Sequence, residues 1–140
     1  MTGDSFNLER FVEAQSDDYD SALTELRAGK KRTHWMWYIF PQLAGLGTSP
    51  MARRFAITSV DEARAYLQHP VLGPRLRECA AAMLSHHELS AHDILGSPDD
   101  LKLRSCVTLF ARASAEPVFV EVLERFYDGV PDPKTERLLE

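Results

Sequence analysis

Proline and glycine stand at helix starts and stops along almost the whole chain, and this punctuation constrains the fold more than any other feature. Ser49-Pro50, Ser97-Pro98 and Asp132-Pro133 each place a capping side chain before a proline. Proline suits the first helical position, where a backbone N–H would have no intrahelical partner. Gly73-Pro74 opens a further segment. Phe40-Pro41 and His69-Pro70 close segments, because the residue before proline avoids the helical region. Gly29 and Asp128-Gly129 read as left-handed stops.

Between these marks the apolar residues recur at helical spacing. Asn7 is expected to cap a helix carrying Leu8, Phe11 and Val12, with Gln15 extending the stripe. A second helix is expected from Ser21 to Ala28, with Leu23 and Leu26 buried. Ser59-Val60-Asp61-Glu62 has the form of a capping box. Ser49 is expected to cap a helix running to about Ile57. Ser97 should cap a helix that buries Leu101, Cys106, Leu109 and Phe110. The stretch PVFVEVLERFY also reads as a strand, but Phe119, Val122, Leu123 and Phe126 fit the i, i+3, i+4, i+7 pattern better. Asp100 with Arg104 and Glu121 with Arg125 have the spacing of helix-surface ion pairs. The expectation is an all-α, compact single domain over residues 1–140, with six to eight short helices crossing at steep angles.

With 140 residues, 44% hydrophobic and 26% charged, the chain is long enough for one core without staples. Its net charge of −5 argues against nucleic acid and anionic membrane as partners, since both call for a basic surface. The longest apolar run, Trp35 to Phe40, is far short of the ~20 residues that span a bilayer. The start MTGDSFNLER lacks the basic-then-apolar pattern of an export signal. A cytoplasmic location is expected. Cys79 and Cys106 sit in apolar settings and are expected to be reduced, buried thiols.

The densest positive charge adjoins the densest aromatic cluster, in GKKRTHWMWYIFPQLAGLG from Gly29 to Gly47. A short helix is expected there, with Thr33 as its cap. Each buried indole N–H then needs an acceptor, and Gln42 is one candidate. In one reading His34, Trp35 and Trp37 line a cavity with Lys31 and Arg32 at its mouth. Gln42 would lie nearby, and the Gly45–Gly47 loop and the Ser49 helix start would offer N–H groups to an anion. A small anionic or nucleotide-like ligand suits such walls, and His34 is the candidate acid or base. In a second reading the tryptophans are core anchors, the lysines a solvated face, and the chain a protein–protein interaction module. A weaker third is an enzyme acting on nucleotide or ADP-ribose-like substrates, which no spacing demands.

Other constellations carry less. His86, His87, Glu88, His92 and Asp93 do not converge at zinc-ligand spacing, so no metal site is expected. Ser105, Cys106 and Thr108 are mid-helix, and no nucleophile signature surrounds them. The glycines of GLGTS lack the context of a dinucleotide or phosphate loop, and no cofactor is implied.

HWMWYIFPQLAGLGTS resembles the signature of a bacterial and fungal domain-of-unknown-function family, the one numbered eighteen-ten. The similarity extends through FNLERFVEAQ, EARAYLQHPVLGPRLREC and DDLKLRSCVTLF. The matching positions include Gln15, Lys31, His34, Trp35, Trp37, Gln42, Gly45, Gly47, Ser49, His69, Gly73, Lys102, Ser105 and Thr108. Cys106-Val107 departs from the family, which tends to read Ser-Met there. The label calpastatin sometimes attached to the family does not suit this chain: such inhibitors are disordered and repetitive. The resemblance implies a small all-α fold with no assigned activity.

Overall fold

The computed structural model describes residues 4–140. Among them nine helices form: α1 (Glu9–Ala28), α2 (Met36–Ile39), α3 (Pro50–Arg54), α4 (Val60–Gln68), α5 (Leu72–Leu84), α6 (Ala91–Leu95), α7 (Asp99–Ala113), α8 (Pro117–Tyr127) and α9 (Pro133–Leu139). Six of the nine have seven residues or more. The only pairing between extended segments among the described residues is one parallel bridge, Leu43 to Ile57. It draws the loop around α3 together, with Ile57 N–H donating to the Gln42 carbonyl at 2.9 Å and Ala44 N–H to the Ile57 carbonyl at 2.8 Å.

α7 is the central element. It packs on α4, α6, α8 and α9, and α5 joins α1, α4 and α8 on the other side. Leu103, Cys106, Val107, Leu109 and Phe110 are all buried, so α7 is apolar over most of its circumference, as a central helix must be. One continuous core runs from Phe11 and Leu26 through Trp35, Phe40 and Tyr66 to Phe110 and Phe119. Both cysteines are free and buried. Burial pushes the Cys79 thiol up to about 12 and the Cys106 thiol well above its ordinary value.

Several caps stand where local spacing put them. Ser49, Ser59 and Asp132 each accept an N–H from the third residue onward, and Ser90 does the same at the start of α6. Gly29, at φ 82°, ends α1.

Other expectations are corrected. The front of the chain is one 20-residue helix, not two: Asp17 and Asp20 face solvent while Tyr19, Ala22 and Leu23 continue the buried stripe. Its cap is Asp4, whose carboxylate accepts from Leu8 and Glu9 N–H at 2.6 and 2.8 Å. Asn7 is left-handed. α3 stops at Arg54. Thr33 caps nothing, and α2 has no side-chain cap. The Ser97-Pro98 bond is cis, Pro98 precedes α7, and no side chain caps that helix. The two surface ion pairs do not form. Arg104 instead donates to the Val130 and Pro131 carbonyls, and Arg125 to those of His86 and Leu89.

Candidate functional site

The aromatic segment is fastened from α1. Glu25 sits in the last turn of that helix, and its carboxylate accepts from Arg32 N–H (2.8 Å), Thr33 N–H (3.0 Å), the Thr33 hydroxyl (2.6 Å) and Trp35 Nε1–H (2.9 Å). The acceptor for that indole is therefore Glu25, which reasoning from sequence missed. One signal was available: an acid in a last turn opposes the helix dipole, so it calls for specific partners.

Trp35 is 1% exposed and lies in the core against Phe40. Lys31 turns inward beside it. Its ammonium stands 5.1 Å from the Trp35 ring centre and 3.1 Å from the Asp99 carboxylate at the start of α7, with the lysine side chain only 9% exposed. The other oxygen of Asp99 takes Lys102 at 3.3 Å, and Lys102 in turn lies 5.8 Å from the Trp37 ring centre. One acid thus holds two lysines against two tryptophans. The cluster carries one net positive charge and joins the aromatic segment to α7.

The six residues singled out from sequence do not share one cavity. The imidazole of His34 is on an exposed residue. Ser49 spends its hydroxyl on the α3 cap. The gap beside Trp37, bounded by Gln42, Gly47 and Phe55, has about 10 Å³ of free room, enough for about one water. The Gly45–Gly47 loop is placed by close packing: a Cβ on Gly47 would come within 2.6 Å of the Ala52 Cβ.

Gln42 does border a larger space. A cleft of about 340 Å³ opens between the glycine loop, the start of α7 and the start of α9. Gln42, Leu46, Gly47, Pro98, Leu101, Lys102, Ser105, Asp132 and Lys134 line it. The Ser105 hydroxyl is occupied, donating to the Leu101 carbonyl at 3.2 Å. Lys102 is ion-paired with Asp99 at 3.3 Å. Among the described residues, the Gln42 amide and the Lys134 ammonium have no protein hydrogen-bond partner. Leu101, 57% exposed, supplies an apolar wall.

A second basic groove, of about 490 Å³, runs past Arg10, Arg53 and Arg54. Its floor is closed to ligands by arithmetic. A guanidinium has five N–H donors, and those of Arg10 go to the Arg54, Phe6, Asn7 and Ala56 carbonyls and to the Glu62 carboxylate. Glu62, 1% exposed, is satisfied by Arg10 and by the N–H and hydroxyl of Thr58. Arg10 is a rivet between α1, the loop after α3, and α4. Of its three arginines, only the exposed Arg53 and Arg54 remain free to meet a partner there.

A family model described as "Protein of unknown function (DUF1810)" matches residues 5–139. The chain belongs to this family. A solved structure of similar sequence is that of the conserved hypothetical protein Rv1873 from Mycobacterium tuberculosis. Its crystal structure is 54% identical to this DUF1810 chain and covers 97% of it, and 98% of the Rv1873 chain is matched, at a TM-score of 0.96. No curated protein matches the chain. Family membership brings the helical fold and no reaction. Among the described residues no helix is long and apolar enough to cross a membrane.

Proposed function

We propose that the cleft between the glycine loop, α7 and α9 binds a small anionic ligand. The observation that carries this reading is the imbalance of unspent polar atoms. The Gln42 amide, Lys102 and Lys134 bring uncommitted N–H donors to one concave surface. Two lysines and a free amide, beside an apolar wall, suit a ligand that carries acceptors and negative charge. Lys31 acts behind the wall: by sharing Asp99 it leaves Lys102 only half neutralised. Trp37 backs Lys102 on the other side.

The binding test uses chemical-shift titration with phosphate, pyrophosphate, acetate and longer carboxylates. Gln42→Ala and Lys102→Ala should each weaken the anion that binds, with shifts confined to residues around Leu46, Leu101 and Lys134. His34→Ala should leave affinity unchanged. If no anion shifts these resonances, or if His34→Ala abolishes binding while Lys102→Ala does not, the assignment of this cleft fails.

A protein partner is the second reading, because Leu101 and Val130 are 57% and 49% exposed near the same cleft. Leu101→Lys separates the two. It should abolish a protein contact while leaving a small inorganic anion bound.

A further inference from the structure

We infer that the cleft takes a zwitterion with an apolar side chain, of the size and chemistry of a free hydrophobic α-amino acid. This rests on the anion-binding reading above and adds to it a second charge and a shape.

The second charge comes from Asp132. Both hydrogen bonds to its carboxylate, from Thr135 N–H at 2.9 Å and the Thr135 hydroxyl at 2.6 Å, fall on Oδ2. Among the described residues Oδ1 receives no hydrogen bond, and Asp132 forms no ion pair, although Lys134 is two residues away. An ionised carboxylate offers about four acceptor positions, so this side chain brings free acceptor capacity and negative charge to a cleft whose other charged groups, Lys102 and Lys134, are cations. For a simple anion Asp132 is a repulsive neighbour. For an ammonium-bearing ligand it is a partner. A zwitterion uses both, with its carboxylate toward Lys102 and Gln42 and its ammonium toward Asp132.

The shape follows from the lining. At about 340 Å³ the space lies at the lower end of the roughly 300–1,000 Å³ of small-molecule sites. No aromatic ring lines it, so a nucleobase would find no stacking surface, the usual platform for such rings. No arginine lines it either; Arg104 has turned to the Val130 and Pro131 carbonyls. The two-pronged geometry that favours phosphate is therefore missing. Leu46, Pro98 and Leu101 leave an apolar surface that an aliphatic or aromatic side chain would cover.

The experiment is a calorimetric and chemical-shift titration of the full chain with L-leucine, N-acetyl-L-leucine, L-leucinamide and phosphate. N-Acetyl-leucine keeps the carboxylate and loses the ammonium; leucinamide does the reverse. Leucine should bind about tenfold more tightly than either, the scale of one charge-assisted hydrogen bond. Asp132→Asn keeps a capping side chain for α9 and should erase the preference for leucine over N-acetyl-leucine. Because the comparison among ligands needs no variant, it stands even if Asp132→Asn folds poorly. Equal binding of leucine and N-acetyl-leucine, or tighter binding of phosphate, with dependence on Lys102, overturns the zwitterion and leaves the anion reading intact. No binding by any of the four overturns both.

Discussion

The indole N–H of Trp35 donates to the Glu25 carboxylate at 2.9 Å, so the family's aromatic segment is anchored to the end of the preceding helix. Three further donors from Arg32 and Thr33 converge on the same group. Burial alone would raise the Glu25 pKa. The bonds from Thr33, Arg32 and Trp35 outweigh it and hold the group down to about 2, against an ordinary 4.5.

The sign of the pH dependence follows. The unfolded chain takes up the Glu25 proton at higher pH than the folded one. The stabilisation is therefore complete above about 4.5 and is lost as pH falls toward about 2. Glu25→Gln should cost about 1.5–3 kcal/mol at neutral pH, the range for hydrogen bonds to a charged group. The gap to wild type should narrow in acid. Urea unfolding at about pH 7 and about pH 3 measures it. A gap of equal size at both values would mean that the carboxylate charge is not what holds the segment.

The Lys31–Asp99–Lys102 triad predicts an asymmetry between two substitutions. Removing Asp99 leaves the Lys31 ammonium, 9% exposed, beside an indole and without its counter-charge. Removing the charge of Lys31 leaves Asp99 still paired with Lys102. Asp99→Ala should therefore destabilise by about 2–3 kcal/mol, below the range for a fully buried pair because the triad is partly wetted. Lys31→Met, which keeps the aliphatic contact with Trp35, should cost under about 1 kcal/mol. Denaturant midpoints of the two variants decide the matter. If Lys31→Met is the more damaging, the lysine matters for more than neutralising Asp99.

What the sequence made legible was whatever is settled within four residues. Ser49, Ser59 and Asp132 cap by reaching three residues forward, and they stand where spacing put them. The acidic run around Asp17 resembles a break only when its polarity is read without its period; the buried stripe through Gln15, Tyr19 and Ala22 continues beneath it. The site was less legible, because its partners come from distant helices. An acid in the last turn of α1 calls for partners, but its place in the sequence does not say that Trp35 is one of them, and nothing near Lys31 points to Asp99. Arg104 and Arg125 had plausible local acids and chose loop carbonyls, which accept several N–H bonds from one guanidinium. Gln42 was read as bordering the site from its place in the motif. Lys134 and Asp132 could be brought to it only by the packing of α9 on α7.

Gly73 predicts a steric result. It is buried at the corner where α4 passes to α5, and an added Cβ would fall well inside contact distance of the Leu67 carbonyl oxygen. That oxygen belongs to backbone and accepts from Arg77 at 3.1 Å, so it cannot move as a flexible side chain would. Gly73→Ala would ordinarily favour a helix by about 1 kcal/mol. Here it should instead destabilise by about 2 kcal/mol or more. A thermal melt that rises on this substitution would show that the two helices can separate at their corner without loss.

Gln15 predicts how much the polar core contributes. It is 1% exposed. Its amide N–H groups donate to the Tyr38 carbonyl at 2.7 Å and to the Tyr66 hydroxyl at 3.1 Å, and its oxygen accepts from Arg75 at 3.3 Å. The residue joins α1 to α2, α4 and α5 through one side chain. Gln15→Leu keeps most of the volume but strands a buried carbonyl and hydroxyl, at about 1–3 kcal/mol for each buried group left without a partner. Pairing it with Tyr66→Phe removes one of the stranded groups. The double variant should then be less destabilised than the sum of the singles, with a coupling of about 1 kcal/mol. Strict additivity in that cycle would mean that water enters to satisfy the Tyr66 hydroxyl, and that the core around α2 is wetter than its burial implies.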